Sequence, residues 1–410
     1  MTGQGRNHVS DLRGVGRLAL DATRGVIDLV EAMHHTIAHA PGILGVPITA
    51  STRGITGLVY RSVRGVAGLV GAGIDFALGE LARLIGETRS PREGEAVLAA
   101  LNGVLGDYLL ATANPLAIQM RVRRGGRPLE LERSALRLAL PRGSKKLLLL
   151  VHGSSMNDLQ WNREGHDHGA ALERDHGYVA VYVHYNSGLH VSTNGRSLAT
   201  LLESAVSQWP VLLDEIAIIA HSMGGLVARS ACHAGASLGH RWPAILRKLV
   251  FLGTPHHGAR LEQGGSWVDF ALGLSPYSAP FARLGRIRSA GITDLRYGSI
   301  LEEDWKQRDR FKLRRDCRRP VPLPAGVDCF AMAAIRERNV ASAGRFAGDG
   351  LVSLDSALGR HPNPDLTLDF PAERQWVGAG MSHVDLLSRP EVYQVLSRWL
   401  SPSAGSRAAR

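Results

Sequence analysis

The sequence predicts an α/β fold built on a doubly wound, mostly parallel sheet, and three observations carry that expectation. Short apolar runs at 146–151, 178–183, 215–220 and 249–252 have the near-continuous hydrophobicity of strands buried on both faces. They alternate with segments of helical pattern, which places crossover helices between parallel strands. One of them, Glu-Ile-Ala-Ile-Ile-Ala at 215–220, runs through His221-Ser222-Met223-Gly224-Gly225 straight into the helix formers of 226–231. A serine on so sharp a strand-to-helix turn sits in strained backbone with its hydroxyl lifted above the sheet edge. The small residues Ala220 and Gly224 let strand and helix close around it.

Taken from the start, residues 1–112 read as an amphipathic helical annex with an internal duplication. Arg13-Gly14-Val15 and Arg24-Gly25-Val26 correspond to Arg53-Gly54-Ile55 and Arg64-Gly65-Val66, with a break between Pro41 and Pro47. The repeat step is about three helical turns, so the glycines of each pair share a face, where they suit close helix–helix contact. A third helix is expected over 95–110. The α/β domain is expected to span 113–402. It opens with a hairpin of 118–123 and 129–131 across Gly125-Gly126, followed by the strand at 146–151 and then that at 178–183. A helix at 197–208 leads to the elbow strand, and the strand at 249–252 ends in Gly253-Thr254-Pro255-His256-His257-Gly258. Residues 259–326 are Gly/Pro-spotted and arginine-rich and read as a cap insertion, with Trp267, Phe270, Tyr277 and Phe281 over an apolar pocket. The sheet resumes at 327–333; 367–370 or 375–377 supplies a last strand, and 391–400 a last helix. Residues 403–410 read as a disordered tail.

Composition narrows the partners. The chain has 410 residues, enough for one large core with an annex, and its 44% hydrophobic and 21% charged content is ordinary for a globular protein. The net charge of +11 is largely arginine and leaves three readings open: phosphate binding, an anionic membrane surface, or arginine-biased composition. No zinc-finger spacing, RNA-binding sheet motif or basic zipper accompanies the charge, which speaks against nucleic acid. Three cysteines (Cys232, Cys317, Cys329) make no disulfide framework; Cys317 and Cys329 could pair under oxidising conditions, but free thiols are the expectation. The N-terminus lacks the pattern of a secretory signal, and no apolar run reaches the ~18 residues of a spanning helix. A cytoplasmic location is expected, with peripheral membrane or lipid-surface contact through residues 1–112 left open and the oligomeric state unread.

A serine hydroxyl is a weak nucleophile near neutral pH and needs a base within reach and an acid to orient that base. With an elbow of this kind the partners follow in the order acid, then histidine. Asp349, in Gly348-Asp349-Gly350-Leu351-Val352, comes soon after the strand at 327–333 and is the expected acid; Asp355 is its rival. His383, in Met381-Ser382-His383, sits just before the last helix and is the expected base, ahead of the proline-flanked His361. The tetrahedral intermediate needs backbone N–H donors. Met223, directly after the nucleophile, and Ser154, in His152-Gly153-Ser154-Ser155 after the 146–151 strand, are the candidates.

Together these motifs resemble the α/β-hydrolase superfamily and, within it, the lipase/esterase branch. They are Val151-His152-Gly153, Ala220-His221-Ser222-Met223-Gly224-Gly225, Gly253 to Gly258, Gly348 to Val352 and Ser382-His383, over roughly 116–400. Similar motifs occur in bacterial triacylglycerol lipases and in the GPI inositol-deacylase-like group. The expected activity is hydrolysis of carboxylic esters, of lipid-like acyl type, through an acyl-enzyme on Ser222, with neither cofactor nor metal. Acyl transfer, polyester depolymerisation and amide hydrolysis could use the same triad. A non-catalytic lipid- or partner-binding scaffold is the alternative from another class.

Overall fold

The computed structural model describes residues 91–141, 143, 145–259, 289–308, 315–339 and 347–401. The duplicated stripe before Pro91, the cap aromatics Trp267, Phe270, Tyr277 and Phe281, and the tail 403–410 lie outside the described residues. The chain divides into two compact units, Met1–Leu101 with Trp267–Ile287, and Asn102–Ser266 with Arg288–Arg410. In the first unit the described part is the opening half of helix α1 (Pro91–Ala111). Within α1, Gly94–Ala111 is, among the described residues, the one stretch long and apolar enough to cross a membrane by length and composition; 67% of it is buried in protein, as in a core helix.

The second unit is built on eight strands. They are β1 (Arg121–Arg124), β2 (Arg127–Pro128), β3 (Lys146–Val151), β4 (Val179–His184), β5 (Glu215–His221), β6 (Leu246–Leu252), β7 (Asp328–Ile335) and β8 (Gln375–Ala379). Their order is β2-β1-β4-β3-β5-β6-β7-β8. The hairpin β1–β2 is antiparallel, as is β1 against β4, and every pairing from β4 to β8 is parallel. Gly125 and Gly126 make the hairpin turn with φ of 57° and 77°, a conformation open to glycine at both central positions of a two-residue loop. The return strand is shorter and earlier than 129–131, and the last strand is Gln375–Ala379 rather than 367–370.

Side chains alternate across the sheet. Leu148 and Leu150 of β3, Ala217 and Ile219 of β5, and Val250 and Leu252 of β6 pack with Leu172 of helix α3 (His168–His176) and Val392, Val395 and Leu396 of the last helix, α6 (Pro390–Leu400); helix α2 (Arg133–Ala139) precedes β3. The opposite residues, such as Leu149 and Ile218, are equally buried. On that side helix α5 (Met223–Ser237) packs against β3, β5 and β6, and helix α4 (Val191–Gln208) packs on α5. Burial on both faces explains the uninterrupted apolar runs.

Two local differences from the sequence reading have physical causes. Helix α4 begins at Val191, six residues ahead of 197, although Val191-Ser-Thr-Asn-Gly is a poor helix start. The carboxylate of Asp294, a hundred residues downstream, accepts the Val191 N–H at 2.8 Å and caps the helix by tertiary contact. Helix α3 is absent from the sequence reading, yet its ends are marked locally. Asp167 accepts the Ala170 N–H at 3.0 Å, and Gly177 closes the helix at φ 69°.

Because the strands are in register, their C-terminal ends meet at one edge. Val151 pairs with Ala220, Ala220 with Phe251, Leu252 with Met332, and Ile335 with Ala379. The turns beginning at His152, Ser222 and Gly253 therefore leave the sheet side by side. The described part of 259–326 folds into this unit: Ala290, Ile292, Leu295 and Ile300 are buried, and Ser230 Oγ donates to Ile300 O at 2.7 Å.

Candidate active site

Ser222 stands between β5 and α5 with φ 53° and ψ −128°, a left-handed conformation that costs a non-glycine residue about 1–3 kcal/mol. The turn is held from both sides: Ser222 N–H donates to Leu252 O at 2.8 Å, and Gly225 N–H donates to Ser222 O at 3.0 Å. Gly224 is required by close approach, since a Cβ there would lie 2.5 Å from the carbonyl oxygens of Val151 and His152. That contact presses the start of α5 onto the turn after β3. From the other side, a Cβ on Gly153 would lie 3.0 Å from Ser222 Cβ.

The histidine and the acid arrive from the far end of the chain. Asp349 lies in the turn after β7, closed by the bridge of Gly348 to Ser353, and His383 opens a 3-10 turn, His383–Leu387, after β8. His383 Nδ1 donates to Asp349 Oδ2 at 2.7 Å, with both side chains almost fully buried. Asp349 Oδ1 accepts the N–H groups of Leu351 and Val352 at 2.9 and 2.8 Å, and His383 N–H donates to Asp349 O at 3.3 Å. The carboxylate is thus fixed by its own turn and leaves one oxygen for the imidazole. Asp355 has none of this: its side chain is 62% exposed and faces Arg360 at 3.8 Å. His361 is likewise elsewhere, 3.7 Å from Asp316 and beside the His257 ring.

Ser222 and His383 share the end of β6. Ser222 bonds Leu252 O, and a Cβ on Gly253 would stand 3.0 Å from His383 Cε1. His221, next to Ser222 in the chain, has its ring centroid 4.7 Å from that of His383, and its Nε2 donates to His383 O at 3.3 Å. Burial, and secondly the neighbouring His383, push the His221 pKa well below its ordinary value, so its ring is neutral. Ser222 Oγ and His383 Nε2 are both buried without a hydrogen-bond partner, so the serine–histidine bond itself is not made. Such bonds are often long in unliganded enzymes and tighten on substrate.

Met223 is the first residue of α5, and Ser154 follows Gly153 on the turn after β3 that approaches Ser222. The next residue, Ser155, has φ 56°, and its N–H donates to Ser187 Oγ at 2.9 Å, which commits that donor to the scaffold. Tyr185 adds a second brace, its hydroxyl donating to His152 O at 2.9 Å while its ring stacks on His152. The adjoining turn is tied down by a buried ion pair, Arg123 Nη1 to Asp158 Oδ1 at 2.9 Å. Ser187 and Tyr185 are absent from the sequence reading. The available signal was their place in a small, polar stretch directly after a buried strand, at the edge where open α/β sheets bind ligands. The Gly253–Gly258 turn is pinned by Arg318, which donates to His256 O at 3.0 Å and Gly298 O at 3.1 Å while paired with Asp316 at 2.8 Å. Cys232, Cys317 and Cys329 are free thiols; Cys317 is exposed, and burial pushes Cys232 and Cys329 up to about 12.

The strand order, the serine turn after β5 and the Asp349–His383 pair delivered after β7 and β8 define an α/β-hydrolase fold. Residues 127–282 match the family described as "Domain of unknown function (DUF7379)". No curated protein matches the chain in sequence. Among solved structures, the chain is similar to a Bacillus licheniformis lipase in its mature form, at 19% identity and a TM-score of 0.42, covering 69% of this chain and 98% of that one. It is also similar to Aspergillus fumigatus lipase B (12% identity, TM-score 0.40, 68% and 60% covered). A Pyrococcus furiosus esterase is similar at 16% identity and a TM-score of 0.36, with 64% and 84% covered.

Proposed function

We propose that the protein is a serine hydrolase of carboxylic esters, of lipid-like acyl type, working through an acyl-enzyme. The observation that carries this reading is the buried 2.7 Å contact of His383 Nδ1 with Asp349, beside an elbow serine whose hydroxyl is unpartnered. Ser222 Oγ attacks the ester carbonyl carbon while His383 Nε2 takes its proton. The resulting oxyanion is held by the Met223 and Ser154 amides, and Asp349 stabilises the imidazolium without accepting its proton. His383 then protonates the alkoxide as the C–O bond breaks, leaving the acyl group on Ser222. Water, deprotonated by His383, attacks the acyl carbon, and the proton returns to Ser222 as the carboxylic acid leaves. None of these steps calls on a cofactor. Peripheral lipid contact through residues 1–112 belongs to the same reading.

The test is covalent. Full-length protein should be labelled by a fluorophosphonate and hydrolyse p-nitrophenyl esters, and Ser222→Ala should lose both. Labelling that persists in Ser222→Ala moves the nucleophile elsewhere. Absence of labelling and turnover in the intact protein would favour a binding scaffold of the same fold.

A further inference from the structure

His221 takes no part in the proton transfers, yet the nucleophile turn starts from it. It is the last residue of β5 and pairs with Leu252 of β6, so its backbone is held in the sheet. Strand alternation puts its side chain on the face of Ala217 and Ile219, where the ring is fully buried. Trp161, at the end of the 3-10 turn Asp158–Trp161, meets the ring edge-on at 6.5 Å between centroids.

The two ring nitrogens face two different turns. Nε2 lies 3.3 Å from His383 O, and a carbonyl only accepts, so the ring hydrogen sits on Nε2. Nδ1 then carries the lone pair, and a Cβ on Gly153 would stand 3.1 Å from it. One flat ring thus reaches from the turn that holds Ser154 to the turn that holds His383, while its own backbone runs into Ser222. The main chain of His383 is gripped on both sides. Its N–H donates to Asp349 O at 3.3 Å, and its C=O accepts from His221. The first bond ties the base to the acid, and the second ties it to the nucleophile. The rest of the 3-10 turn is secured elsewhere: Ser382 N–H donates to Asp385 Oδ2 at 2.7 Å, and His168 Nε2–H donates to Leu386 O at 3.1 Å. Loss of the His221 bond would therefore loosen His383 without unfolding its turn.

We infer that His221 is a positioning residue that sets the reach between Ser222 Oγ and His383 Nε2. This rests on the hydrolase reading. Those two atoms are buried and unpartnered in the resting protein, so their approach in the reacting complex is governed by the groups that carry them. A misplacement of about 1 Å at such a site costs about 10²-fold in rate. Burial keeps the His221 ring neutral, so the link sets no second positive charge beside the imidazolium that forms on His383.

The test separates positioning from packing. His221→Met fills much of the same volume with no donor, whereas His221→Gln sets an amide N–H where Nε2–H stands. Full-length wild type and both variants are measured for p-nitrophenyl ester hydrolysis, for the rate of fluorophosphonate labelling and for Tm. His221→Met should lower kcat and the labelling rate about tenfold to a hundredfold, with KM within about twofold because the ring does not touch substrate. His221→Gln should recover both rates to within about threefold of wild type, since the donor is restored. If His221→Met does not fold, His221→Asn takes its place with the same expected loss, because its amide stops short of His383 O. A folded donorless variant with wild-type kcat and labelling overturns the inference. So does a His221→Gln that is folded and as slow as the donorless variant, which would make the ring a packing element. A wild type that neither hydrolyses ester nor takes the label removes the hydrolase reading and this inference with it; a labelled wild type beside an unimpaired donorless variant overturns this inference alone.

Discussion

Replacing Asp349 by asparagine perturbs one bond at the centre of the site and little else. The carboxylate accepts Leu351 and Val352 N–H groups through Oδ1 and His383 Nδ1–H through Oδ2 at 2.7 Å. An asparagine that keeps its carbonyl oxygen on the two amides must turn its NH2 group toward His383. The imidazole then meets a donor where it had an acceptor and adopts the tautomer with hydrogen on Nε2, which cannot take the Ser222 proton. The imidazolium also loses its buried counter-charge. In the serine-protease triad the same exchange costs about 10⁴ in kcat, or roughly 5.5 kcal/mol of transition-state stabilisation. A loss of that order is expected here, with Tm nearly unchanged because shape and turn bonds survive. The control is Asp355→Asn. That group is 62% exposed and only 3.8 Å-paired to Arg360, an interaction worth about 0–1 kcal/mol, so turnover should stay within about twofold. The assay is initial-rate hydrolysis of a p-nitrophenyl ester, with circular-dichroism melts on all three proteins. Comparable losses in both variants, or a larger one in Asp355→Asn, would refute the assignment of the acid.

Ser187→Ala should leave the buried Ser155 N–H without an acceptor, costing about 1–3 kcal/mol. Loosening of the Ser154 turn should lower kcat about tenfold with KM nearly constant; a purely structural role would lower Tm alone. Stability should also fall with acid. Burial, partly offset by a backbone hydrogen bond, holds His152, His168 and His257 at about 3, and burial pushes His221 and His256 well below their ordinary value. Folded, these rings stay neutral; unfolded, they take up protons below about 6.5, so stability is whole above that pH and is lost as pH falls toward 3. Urea unfolding midpoints that stay flat from pH 7.5 to about 4.5 would contradict the burial of these rings.

What can be read without the structure follows how local the physics is. The strands and the elbow are legible because burial on both faces writes a continuous apolar run, and because the serine turn is completed by its immediate neighbours. The choice of Asp349 over Asp355 rests on a thinner thread, small flanking residues, and burial and hydrogen bonding settle which carboxylate meets His383. The start of α4 is illegible because Asp294, which caps it, lies a hundred residues away. Ser187 is illegible for a related reason. Its part depends on Ser155 adopting φ 56° on a different turn, and no local pattern around Ser187 announces that partner. Helix α3 is legible from Asp167 and Gly177, which mark its ends locally.

Part of the unmet hydrogen-bonding capacity of the described residues lies at the candidate site. Folded proteins satisfy about 90% or more of their buried polar groups, and each one left unpaired costs about 1–3 kcal/mol. Among the described residues, the buried side-chain atoms without a partner include some on other elements, such as Trp161 Nε1, Arg229 Nε and Trp242 Nε1, and, near the C-terminal edge of the sheet, His152 Nε2, Ser154 Oγ, His221 Nδ1, Ser222 Oγ, Thr254 Oγ1 and His383 Nε2. Immediately behind them the same turns are fully bonded: Asp349 by two amides and an imidazole, Ser155 by Ser187, and His152 O by Tyr185. On the proposed reading, Ser222 Oγ and His383 Nε2 keep polar capacity in reserve on that frame. An interaction absent from the resting protein and made only as charge develops on a substrate lowers the barrier without deepening the ground state, which is the condition for catalysis.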